Sequence, residues 1–127
     1  MASNPQVPSE YQEQVAVAEW LDKAVGPRAW IHPPNEGIRD PRIGAKLKRA
    51  GLKPGAPDII IFARPPCAHG QHGAAIELKR RGDGGRNLPA EQIKWLENLS
   101  ALGWCTAVCY GAQDAIAQLD RWGYRKP

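Results

Sequence analysis

The sequence predicts an α/β fold, a mixed β-sheet flanked by helices, and three observations carry that reading. Two short apolar runs, Asp58-Ile59-Ile60-Ile61-Phe62 and Ala74-Ala75-Ile76, are bounded by Gly and Pro, the mark of buried strands. Segments with helical spacing alternate with the strand-like runs, giving the order α-β-α-β-β-α-β-α, which suits helices on both faces of one sheet. The link between the strand at 74–79 and the strand at 104–110 contains a whole helix, so those strands read as parallel and joined by a right-handed crossover.

Each element follows from local chemistry. Residues 1–8 are polar with two prolines and read as a flexible lead, while 9–127 read as a single domain. Ser9 is placed to N-cap a helix that runs to about Val25, with Tyr11, Val15, Ala18 and Leu21 at helical spacing and Gly26-Pro27 as the stop. Ala29 to His32 is a short strand ended by Pro33-Pro34. Pro41 to Ala50 is a basic helix with Gly51 at its end. The strands at 58–63 and 74–79 follow, then a basic, Gly-rich loop from Arg80 to Asn87. Pro89 opens a helix to Leu102 with Ile93, Leu96 and Leu99 on one stripe, and Gly103 ends it. The last strand covers 104–110, and a closing helix covers Asp114 to Trp122.

Size and composition fit this picture. A chain of 127 residues with 43% hydrophobic and 24% charged residues is an ordinary globular domain. No apolar run approaches the ~20 residues needed to cross a bilayer. The opening Met-Ala-Ser-Asn-Pro-Gln has neither a basic n-region nor an apolar h-region, which predicts a cytoplasmic protein. A formal charge of +4 and a pI near 9.2 favour a polyanionic partner.

Chemistry concentrates where two strands meet. If the runs pair antiparallel, Asp58 at the start of one meets Glu77 at the end of the other. Glu77 and Lys79 are two apart on a strand and share a face. Two carboxylates and an ammonium therefore converge at one end of the sheet. Hard divalent cations such as Mg²⁺ or Mn²⁺ take oxygen ligands, and the backbone carbonyl of Leu78 adds a neutral one. Such a set suits phosphodiester hydrolysis: a metal to polarise phosphate and acidify water, and Lys79 to orient that water or neutralise growing charge. A buried ion pair at a strand end is the plainer alternative for Glu77-x-Lys79 taken alone.

Pro57-Asp58 with Glu77-x-Lys79 resembles the PD-(D/E)XK nuclease signature. The surrounding motifs narrow the resemblance. Glu10-x-x-x-Gln14 comes first, then Asn35-Glu36-Gly37-x-Arg39 and Gly44-x-x-Leu47-Lys48-x-x-Gly51. Lys53-Pro54-Gly55-x-Pro57-Asp58, Ile76-Glu77-Leu78-Lys79 and Leu88-Pro89-x-x-Gln92-x-x-Trp95-Leu96 follow in order. This succession, from about Ser9 to about Trp122, is similar to the virus-type replication-repair nuclease (VRR-NUC) domain in its small standalone form. The resemblance implies a restriction-endonuclease-like αβββαβ core, which agrees with the element order read above. It also implies a metal-dependent endonuclease acting on branched DNA, four-way junctions above all, as a homodimer of phage or prophage origin. Other substrates of the same chemistry (flaps, nicked or single-stranded DNA) and a non-catalytic DNA-binding module remain as alternatives.

The resemblance assigns further residues. An acidic residue of the first helix completes the metal site, and Glu10 matches that position best. Glu13 is the rival, with a solvated carboxylate at the positive end of the helix dipole as the reading preferred for it. Gln92 falls near the active site, where its amide would hold a water or a phosphate oxygen. Asn35 suits a side-chain turn or a DNA contact, Gly37 a positive φ, and Arg39 a contact with phosphate. Basic residues flank the proposed metal on both sides: Arg39, Arg42, Lys46, Lys48, Arg49 and Lys53 before Asp58, then Arg80, Arg81 and Arg86 after Lys79. At that density they bind a phosphate backbone, and with no groove-reading motif in view they favour DNA shape over base sequence. Trp20, Trp30 and Trp122 serve either the core or a dimer contact.

Three cysteines, Cys67, Cys105 and Cys109, do not form a disulfide framework and read as free thiols. Cys67-x-His69-x-x-His72 has some of the look of a zinc site, but it sits in a turn rich in Gly and Pro and lacks a fourth ligand. A loop tip between two strands is the preferred reading. That turn, Pro65 to Gly73, is longer than a hairpin needs.

Overall fold

A computed structural model describes residues 7–33, 40–84 and 87–125. Eight elements follow in order: α1 (Glu10–Ala24), β1 (Trp30–Ile31), α2 (Pro41–Arg49), β2 (Ile59–Ile61), β3 (Ala74–Lys79), α3 (Ala90–Ala101), β4 (Cys105–Tyr110) and α4 (Ala112–Arg121). The strands form one mixed sheet in the order β1-β2-β3-β4. β1 and β2 are antiparallel, as are β2 and β3, whereas β3 and β4 run parallel through the α3 crossover. The α/β architecture predicted from sequence is the one found.

The core lies between one sheet face and the α1–α4 pair. Val17 and Leu21 of α1 pack with Ile59, Ile61, Ala74, Ile76, Leu78 and Cys109 of the sheet and with Ala115 and Leu119 of α4. On β3, Ala74, Ile76 and Leu78 supply this face, so alternation turns Ala75, Glu77 and Lys79 to the other. Trp20, Trp30 and Trp122 pack half-buried against the core, and Trp30 Nε1 donates to Asp22. No helix is long and apolar enough to cross a membrane among the described residues.

α1 begins with a reciprocal cap. Ser9 Oγ accepts from Gln12 N, and Gln12 Oε1 accepts from Ser9 N, so two orphan donors are satisfied at once. Pro8 O accepts from Arg80 Nε at 3.0 Å, which ties the start of α1 to the end of β3. The inward stripe of α1 differs from the one expected. Tyr11 is 77% exposed, and the buried positions are Glu13, Val17 and Leu21. The apolar periodicity is broken by a buried acid, for reasons that belong to the site.

α4 also starts two residues earlier than its sequence suggests. Its first N–H, on Ala112, donates to Glu13 Oε1 at 3.2 Å. A cap supplied from α1 leaves no local signal. In the loop between β2 and β3, Cys67 N donates to Trp122 O and His72 N to Gly103 O, so that loop is docked on the ends of α3 and α4. Among the described residues no three His, Cys, Asp or Glu side chains stand together as metal ligands, and Cys67, His69 and His72 are no exception.

Candidate active site

The site is made by the β2/β3 register. Ile59 pairs with Ile76, so one further step sets Asp58 opposite Glu77. Asp58 lies just before β2, buried to 7% exposure, and Glu77 lies within β3 at 3%. Buried carboxylates need partners. Asp58 Oδ2 accepts the Leu78 N–H at 2.7 Å, which leaves Oδ1 as its other oxygen. Glu77 Oε2 stands 3.6 Å from Lys79 Nζ, both side chains largely shielded from water. The expected trio of Asp58, Glu77 and Lys79 is thus gathered at one end of the sheet.

Two clefts open at this end. Asp58 and Leu78 line the first with Glu10, Tyr11, Gln14 and His32. Lys79 lines the second with Glu10, Asp83, Asn87, Leu88 and Tyr110. Glu10 borders both, because α1 starts over the end of β3 and turns its first residue toward the gap. Gln14, one helical turn on, shares the first cleft with it.

The donor chemistry fits a hard divalent cation. Asp58, Glu77 and Glu10 offer carboxylates and Leu78 a carbonyl, all oxygens. As already noted, no three such side chains converge tightly among the described residues. Mg²⁺ is commonly held by only one or two carboxylates, with water and substrate phosphate completing its shell. The residues present suit that mode and not a closed protein cage.

Glu13 is different from the solvated carboxylate expected of it. It is 2% exposed and lies where α1, the turn after β3 and the start of α4 meet. Oε2 accepts from Arg81 N at 3.1 Å, and Oε1 accepts from Ala112 N at 3.2 Å. The Arg81 guanidinium stands 3.5 Å from Oε1. A Cβ added at Gly111 would come within 2.8 Å of Oε2, so the glycine makes room for the carboxylate. Every one of these partners is remote in sequence, which explains why helical spacing alone misplaced Glu13.

The other expected residues are spread more widely. Gln92 sits in the first turn of α3 and lines neither cleft; its Oε1 is buried without a hydrogen-bond partner among the described residues. Lys46, Lys48 and Arg49 are exposed in the last turn of α2, where cations also favour the helix dipole. α2 buries none of its residues. Arg80 and Arg81 are exposed beside the site, and both also hold protein partners, Pro8 and Glu13. Asn35, Gly37, Arg39 and Arg86 lie outside the described residues.

His32 is among the cleft residues that sequence reasoning did not assign to the site. His32 Nδ1 lies 2.6 Å from the main-chain oxygen of Asp58. Its place follows from a strand register that the structure shows and local sequence does not: Ile31 faces Ile60, so the next residue falls beside the start of β2.

No family model matches the chain, and no curated protein does. A solved structure described as a "VRR_NUC domain protein" is similar to it with a TM-score of 0.70, at 27% identity, over 91% of this chain and 88% of that one.

Proposed function

The chain has the fold of a VRR-NUC domain, and from that premise we propose that it is a metal-dependent, structure-selective endodeoxyribonuclease that hydrolyses phosphodiester bonds in branched DNA, four-way junctions above all. The observation that carries this reading is Asp58 just before β2, bonded through Oδ2 to Leu78 N, next to Glu77, whose carboxylate stands 3.6 Å from Lys79 Nζ. A strand-end ion pair would need neither the second buried carboxylate nor the shared border of Glu10.

Asp58 Oδ1, the Glu77 carboxylate and the Leu78 carbonyl would hold Mg²⁺ or Mn²⁺, with Glu10 reaching in from α1. Such an ion polarises the scissile phosphate and acidifies water. Lys79 has two uses open to it. Its ammonium can neutralise charge that grows on the phosphoryl oxygens, or it can orient the attacking water. Glu77 keeps that ammonium beside the metal ligands. The buried, unpaired Oε1 of Gln92 is suited to hold a water on α3, outside both clefts. Lys46, Lys48, Arg49, Arg80 and Arg81, with Asn35 and Arg39, would contact the backbone, so affinity should fall steeply with salt.

One set of Asp58, Glu77 and Lys79 makes one active site. Cutting two strands of a junction calls for two, which a symmetric homodimer supplies.

The test is a cleavage assay on a labelled four-way junction, a flap, a splayed arm and plain duplex, each with Mg²⁺, Mn²⁺ or EDTA, beside Lys79→Ala. Paired nicks confined to the junction, dependent on metal and lost in the variant, are the expected result. Cleavage of other substrates would keep the chemistry and reject the junction. Tight binding without cleavage in any metal would make the domain a DNA-binding module.

A further inference from the structure

We propose that His32 is a positioning residue of this site: it donates Nδ1–H to the main-chain carbonyl of Asp58 and so fixes where the Asp58 carboxylate stands. The inference rests on the reading of Asp58 as a metal ligand and adds the residue that holds it.

Three observations meet here. The contact is 2.6 Å and joins residues 26 positions apart. A carbonyl oxygen only accepts, so Nδ1 must carry the proton. Second, β2 is only three residues long and Asp58 lies outside its ladder. Sheet pairing therefore does not fix the Asp58 carbonyl, and His32 takes the place that a ladder partner would hold. Third, the same aspartate is tied at its other end, where Oδ2 accepts from Leu78 N. With the carbonyl held by β1's end and one carboxylate oxygen held by β3, the remaining freedom of Asp58 is small. Oδ1 is then presented toward the cleft that His32 itself lines.

A group that orients a ligand from behind acts on metal affinity more than on folding. Losing such a partner typically costs 10–100-fold in metal affinity or activity. The chain's own geometry offers a discriminating substitution. The Asn amide nitrogen lies near the position of Nδ1, so His32→Asn can still donate to the Asp58 carbonyl, whereas His32→Ala cannot.

Calorimetric titration of Mn²⁺ into DNA-free protein, with thermal unfolding alongside, tests the proposal. Expected is a weakening of about 10-fold or more in His32→Ala, recovered for the most part in His32→Asn, with unfolding temperatures alike in the two variants. The ¹³C shift of the Asp58 carbonyl should move in the alanine variant and return in the asparagine one. Wild-type affinity in His32→Ala, or no recovery in His32→Asn, would overturn the positioning role while leaving the nuclease reading intact. Wild-type protein that binds no Mn²⁺ would overturn both, starting with Asp58 as a ligand.

Discussion

Leu78 N and Asp58 Oδ2 stand 2.7 Å apart, a hydrogen bond that fastens the two strands of the site at the end where their ladder has stopped. It does two things at once. It satisfies a backbone donor in a buried strand, and it commits one oxygen of a carboxylate whose other oxygen the proposed chemistry needs.

Those two tasks separate by substitution. Asp58→Asn keeps an oxygen that accepts the Leu78 N–H but removes the charge. It should fold within about 1 kcal/mol of wild type, because a neutral hydrogen bond of that kind is worth roughly that much. Its Mn²⁺ binding and DNA cleavage should be lost. Asp58→Ala leaves the Leu78 N–H buried and unpaired, at a cost of about 1–3 kcal/mol. Urea denaturation of the two variants beside calorimetry checks this. Equal destabilisation by both would show that the carboxylate serves the fold through its charge.

Glu13 gives a second prediction, on stability. Its carboxylate receives the N–H groups of Arg81 and Ala112 from two other elements. Glu13→Ala strands both donors, so a loss on the order of 2–4 kcal/mol is expected from two unsatisfied groups. Glu13→Gln retains one acceptor but brings an NH₂ toward a donor, and should fall between alanine and wild type. The Arg81 guanidinium is partly open to water and adds little to the difference. A Glu13→Ala protein as stable as wild type in urea would refute the keystone role of this residue.

Asp58, Glu77 and Lys79 were legible in the sequence because each lies at the end of a β-branched or apolar run, and strand alternation fixes faces without tertiary knowledge. The α3 crossover was legible for a similar reason, since a full helix between two strands leaves few topologies. Glu13 and His32 were not. One is a buried acid whose donors come from residues 81 and 112, and the other is an imidazole bonded to a carbonyl 26 positions away. Local period carries no trace of such partners. The early start of α4 failed the same way, because its cap comes from α1 and not from the residues before it.

Gly55 supplies a third prediction. It has φ +80°, and a Cβ there would lie 2.8 Å from Glu91 Cβ. Close by, Trp95 Nε1 donates to Pro54 O, so the turn that leads to Asp58 is seated on the first turns of α3. Gly55→Ala should cost about 1–3 kcal/mol from the left-handed backbone alone, and more from the clash. Gly26, at φ +96° with open space around it, isolates the backbone share. The expected order in chemical denaturation is wild type, then Gly26→Ala, then Gly55→Ala, and only the last should also weaken Mn²⁺ binding. Equal losses at both glycines would mean that the seat on α3 carries no weight.

The thiols give a prediction in pH. Cys109 is 2% exposed in the core, and burial first, then the nearby Asp114, pushes its thiol up to about 12, with Arg121 acting the other way. The Tyr124 hydroxyl is raised too, mainly by burial. Both groups are neutral when protonated, so the folded state holds the proton more tightly than the unfolded chain, whose thiol loses it near pH ~8.5. Stability from Cys109 is therefore complete below that value and declines as pH rises through about 12. The unfolding temperature should stay level through neutral pH and begin to fall above pH ~8.5. Over the level range, an aromatic disulfide reagent should react fast with exposed Cys67 and with Cys109 only after denaturant is added. Cys109→Ala should shift the alkaline fall upward by removing its ionisation from the unfolded state. Rapid labelling of Cys109 in the native protein would contradict the packing that buries it on the core face of β4 with Ala115 and Leu119 of α4.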